Sequence, residues 1–85
     1  MDHYMENYHV KIFKSSKRIG IKEVTAASID QAEAFLLKKL KETFCREDNL
    51  KNLIQVIHLV KEDFERQIKV EIPGKEKLTM TIWKG

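Results

Sequence analysis

The sequence predicts an α+β domain in the order ββαβββ, a mostly antiparallel sheet with one main helix packed on one of its faces. Three patterns carry that expectation. Apolar residues alternate every second position after Tyr8 and again after Ile68, a capping signal at Ser28 opens an apolar stripe of helical period, and Pro73 with Gly74 marks a tight turn.

The first strand starts at Tyr8, because Tyr8, Val10 and Ile12 fall on one side of the pleat and His9, Lys11 and Phe13 on the other. Met1 to Asn7 is polar and aperiodic and reads as a flexible lead-in, leaving residues 8–85 as the domain. Ser15 to Arg18 suit a turn, and Ile19 to Thr25 form a second strand that completes a hairpin. Its phase is broken: Ile19 and Ile21 share one face while Val24 and Ala26 lie on the other. A bulge near Lys22 and Glu23 would restore it.

Ser28 and Gln31 form a capping box, with Asp30 and Glu33 early and Lys38, Lys39 and Lys41 late, as the backbone dipole favours. At 100° per residue, Ile29, Ala32, Leu36, Leu40 and Phe44 make one stripe with Leu37 at its margin, which predicts a helix ending near Phe44. Residues 50–64 fit two readings. A helix would put Lys61 in its apolar stripe, whereas a strand sets Ile54, Val56, His58 and Val60 on one face and Leu53, Ile57 and Leu59 on the other. The density of β-branched residues favours the strand, with a second helix as the alternative. Ile68, Val70 and Ile72 then alternate with Lys69 and Glu71, and Leu78, Met80 and Ile82 with Thr79, Thr81 and Trp83, so a hairpin closes the chain. The first hairpin and the helix opening in VTAASIDQAEAF are similar to a module that recurs in ribosomal proteins, antitoxins and recombinase arm domains. That likeness spans residues 8–44 and implies no activity.

Composition limits the function. Eighty-five residues suffice for one domain, and the longest uncharged apolar run, Leu53 to Val60, is too short to cross a bilayer. A single cysteine and the lack of an export signal lead to an expectation of a cytoplasmic protein without a membrane partner. Thirteen lysines against three arginines suit AT-rich coding, expected of a low-GC bacterium or its mobile elements.

Chemistry finds little footing. Cys45 and His58 lack a third orienting group, and His3, His9, His58 and Cys45 lack the two-to-five-residue spacing of metal ligands. Three scattered glycines make no phosphate loop. Glu62 and Asp63 fall in a solvated turn. The expectation is a non-catalytic chain with no cofactor and no metal.

Two binding readings remain. One helix shields only part of a five-stranded sheet, so Phe13, Leu59 and Trp83 on the uncovered face are expected to bind another protein or a second copy, as a homodimer. The alternative is nucleic-acid binding through Lys11, Lys14, Lys17, Arg18 and Lys22, which lie in a stretch carrying no acid before Glu23.

Overall fold

The computed structural model describes residues 5–14, 17–45, 53–74 and 77–84. Its elements are β1 (Glu6–Phe13), β2 (Glu23–Ala26), α1 (Ile29–Phe44), β3 (Gln55–Lys61), β4 (Glu65–Glu71) and β5 (Leu78–Lys84). All four strand pairings are antiparallel and the sheet order is β2-β1-β5-β4-β3. Thus the ββαβββ order stands, and residues 55–61 form a strand. The chain leaves edge strand β2, crosses the sheet through α1 and re-enters at the opposite edge.

The helix is held as its sequence implies. The Gln31 amide donates to the Ser28 hydroxyl at 3.2 Å, and the Gln31 side-chain oxygen accepts from the Ala27 N–H, one residue before the cap. Ile29, Ala32, Leu36, Leu40 and Phe44 are the buried stripe, set against β2, β5 and β4. Opposite them lie Tyr8, Val10, Ile68, Val70, Leu78, Met80 and Ile82. Burial of each large side chain contributes about 1.5–3 kcal/mol before entropy. Cys45, which the helical period alone would turn away from this stripe, is buried instead. The chain turns extended at the C-cap and folds the thiol under, while the Cys45 N–H still bonds Lys41 O at 2.9 Å.

Three further expectations are corrected. Glu6 and Asn7, read as lead-in, are paired strand residues opposite Ala26 and Thr25. The second strand begins only at Glu23. The phase conflict is resolved by the chain leaving the sheet: the Val10 N–H donates to Lys22 O at 2.8 Å, and ahead of that bond residues 18–21 belong to no strand, with Ile19 and Ile21 still packed on the core. The bulge lies in β3, between His58 and Val60. It moves Val60 from the side of Val56 and His58 to that of Gln67, on the helix-free face. The turn at Ser15 and Ser16, Met1 to Tyr4 with His3, and Leu50 lie outside the described residues.

Candidate nucleic-acid interface

Register fixes what the helix-free face displays, because directly opposed residues of neighbouring strands share a face. His9 lies opposite Trp83, and Trp83 opposite Glu65. Lys11 lies opposite Thr81, which faces Gln67. Phe13 lies opposite Thr79, which faces Lys69. On edge strand β3, Ile57 faces Lys69 and Val60 faces Gln67. The middle of the face is therefore polar, with apolar side chains at both borders. Phe13, Leu59 and Trp83 are 43%, 55% and 37% exposed, but they do not form one patch. Leu59, in the bulge, is three strand steps from Phe13, about 14 Å at the usual inter-strand spacing.

The β1 border is more concentrated. Because β2 ends its pairing at His9, the outer edge of β1 from Lys11 to Phe13 and the 18–22 segment enclose a cleft of about 720 Å³. Lys11, Lys14, Arg18 and Lys22 line it together with His9, Phe13 and Trp83, and none of the described lining residues is a carboxylate. The nearest acid of the hairpin, Glu23, lies 3.6 Å from His9 Nδ1. Four of the five basic residues singled out in the sequence thus share one cleft; the fifth, Lys17, stands beside them in the chain.

Backbone geometry contributes to this arrangement. Lys14 has φ +56°, in the left-handed region that costs an L-residue with a Cβ roughly 1 kcal/mol or more. That turn takes the chain away from β1 directly after Phe13 and starts the cleft wall. Since the Val10 N–H points to Lys22, alternation directs the Ile12 N–H and C=O outward on the same edge.

The aromatic groups are ordered. The rings of His9 and Trp83 stand 5.5 Å apart at 31°. Lys11 Nζ lies 5.1 Å from the centre of the Phe13 ring, a cation–π contact that presents an ammonium beside an exposed ring.

A second polar cluster, with no counterpart in the sequence reading, sits under the helix. Arg66, 3% exposed, donates through one terminal nitrogen to Asp30 at 2.8 Å and Glu33 at 2.9 Å, and through the other to Glu62 O at 3.4 Å. His58 Nε2 lies 2.9 Å and 3.1 Å from the Glu33 oxygens. Burial weakens the guanidinium's hold on its proton, but the bonds to Glu33 and Asp30 outweigh that and raise its pKa above the ordinary value. This hub ties β4 and β3 to α1. The signal in the sequence was a charge at an inward position of an alternating strand, since Arg66 is in phase with Ile68 and Val70. His58 engages Glu33, and Cys45 lies buried at the end of the helix.

No helix among the described residues is long and apolar enough to cross a membrane. Comparison with protein-family models, with curated proteins and with solved structures finds no match to this chain.

Proposed function

We propose that this chain is a non-catalytic module that binds nucleic acid by its phosphate backbone, in the cleft between β1 and residues 18–22. The observation that supports it is the convergence of Lys11, Lys14, Arg18 and Lys22 on one cleft whose described lining holds no carboxylate. Net charge of +3 is modest, so affinity would come from this local field rather than from the whole surface.

Four contacts give a slope of log K against log salt of about −2.8 to −3.6, so raising salt from about 50 to 200 mM weakens binding by about 50- to 150-fold. Replacing Lys14 and Arg18 by Gln removes two contacts and halves the slope. Retention on immobilised DNA or RNA, titrated with salt, measures it. A wild-type chain that is not retained, or a double variant with an unchanged slope, sinks the proposal.

A second reading, contact with a second copy, has its own observation: Ile57, Leu59 and Val60 stand toward the helix-free side of edge strand β3, the first two well exposed. Along β4, Glu65 and Lys69 lie two residues either side of Gln67 on that face. A two-fold axis crossing the strands at Gln67 would set Glu65 over Lys69 of the second copy and bring the Leu59–Val60 borders together, with Phe13 and Trp83 also enclosed. Sedimentation separates the readings, since a monomer unaffected by Leu59→Lys removes the dimer.

A further inference from the structure

Resting on the nucleic-acid reading, we propose that the cleft takes single-stranded nucleic acid, with bases stacked on Phe13 and on the His9–Trp83 pair and the intervening phosphate on Lys11. A site for phosphate alone needs cations and backbone donors; this one adds three rings to its lining, two of them, Phe13 and Trp83, with more than a third of their surface in solvent. Rings turned to solvent among cations forgo burial, and a ligand carrying both negative charge and a flat apolar face satisfies both groups at once.

Spacing favours a strand over a mononucleotide. His9 and Phe13 are four residues apart on β1, about 14 Å in an extended antiparallel strand. Lys11 is midway between them and on the same face, since His9, Lys11 and Phe13 are opposite Trp83, Thr81 and Thr79 of β5. A chain laid along β1 therefore meets ring, cation, ring in turn. One nucleotide reaches only one of the two platforms. Lys14, Arg18 and Lys22, on the outer wall, are left for neighbouring phosphates.

The same geometry disfavours a duplex. Paired bases have both faces occupied by their neighbours, so stacking on Phe13 or Trp83 would first require a base to leave the helix at considerable cost. An acidic peptide would satisfy the cations and the outward Ile12 backbone groups but would leave the two ring platforms without a flat partner.

The chain carries its own reporter, because Trp83 is its single tryptophan. A short oligo-deoxythymidine is titrated into the full chain while Trp83 emission is followed. Annealed duplex of the same length, inorganic polyphosphate and poly-glutamate serve as comparisons. The expected result is saturable quenching by the single strand, weaker binding by duplex, and no quenching by the two ring-free polyanions. Phe13→Leu, at an exposed position that leaves the core intact, should weaken the single strand by about 5- to 150-fold with an unchanged salt slope, as loss of one stacked base predicts. Equal binding of duplex, polyphosphate or poly-glutamate with Trp83 emission unmoved, or a Phe13→Leu chain that binds as wild type, overturns the single-strand inference while a salt-dependent phosphate site stands. If none of the polyanions binds, both proposals fall together.

Discussion

Removing the guanidinium of Arg66 tests the interior electrostatics of this fold. The Arg66 side chain is 4% exposed, and its partners are unequal: Asp30 is 76% exposed, Glu33 only 14%. The bond to Asp30 resembles a surface ion pair and contributes at most about 1 kcal/mol. The bond to Glu33 is different, because Arg66→Met keeps most of the side-chain volume but leaves a mostly buried carboxylate with His58 as its remaining partner. Breaking a buried pair from one side costs about 3–5 kcal/mol; with His58 still in place, about 3 kcal/mol is the expected loss. For a chain of this length each kcal/mol moves the melting temperature by about 5–6 °C, so Arg66→Met should melt about 15 °C lower. Asp30→Ala should lower it by no more than about 5 °C. Thermal unfolding followed by circular dichroism at neutral pH, with a two-state check, provides the numbers. Adding Glu33→Met to Arg66→Met should recover most of the loss, since replacing both charges by apolar volume is close to neutral. Arg66 Nε, buried without a hydrogen-bond partner, is removed in both variants and offsets part of the loss equally in each. If Arg66→Met melts with the wild type, or the double variant is no better than the single one, the hub does not hold the helix to the sheet as argued.

Other perturbations have defined outcomes. Lys14→Gly relieves a left-handed backbone at a cost in chain entropy, so the protein should gain up to about 1 kcal/mol by denaturant unfolding while the salt slope of nucleic-acid binding drops by about 0.7–0.9. Burial, reinforced by the bond to Glu6, raises the Tyr8 pKa, and the bond to Glu6 raises that of Lys84. Both contributions are complete below the unfolded values near about pH 10 and are lost as pH rises through the folded ones. Melting temperature should therefore fall on an alkaline limb that Tyr8→Phe makes shallower, and an unaltered limb in that variant refutes the assignment. Leu36→Ala, at a fully buried position, should cost about 3–5 kcal/mol in urea; a loss below about 1 kcal/mol would mean the helix does not seal the core. Because a face-to-face dimer would enclose Phe13 and Trp83, saturating single strand should convert any dimer to monomer in sedimentation.

What the sequence determined on its own was local. Capping at Ser28, the Ile29 to Phe44 stripe and the alternation of the last two strands are set by contacts within a turn or two residues, so each could be read from neighbouring letters. The basic stretch was legible for the same reason, its members lying within twelve consecutive positions. Residues far apart in the chain were placed by tertiary structure alone. Pairing of β1 with β5 brings Trp83 beside His9, and packing of α1 over β4 makes Arg66 the partner of Asp30 and Glu33. Val60 shows the limit most plainly: one extra residue at Leu59 turns it to the other face, because a side-chain period of two cannot absorb an odd insertion. The cleft arises likewise from where β2 stops pairing with β1, which depends on how Ile19 and Ile21 reach the core as well as on their own alternation.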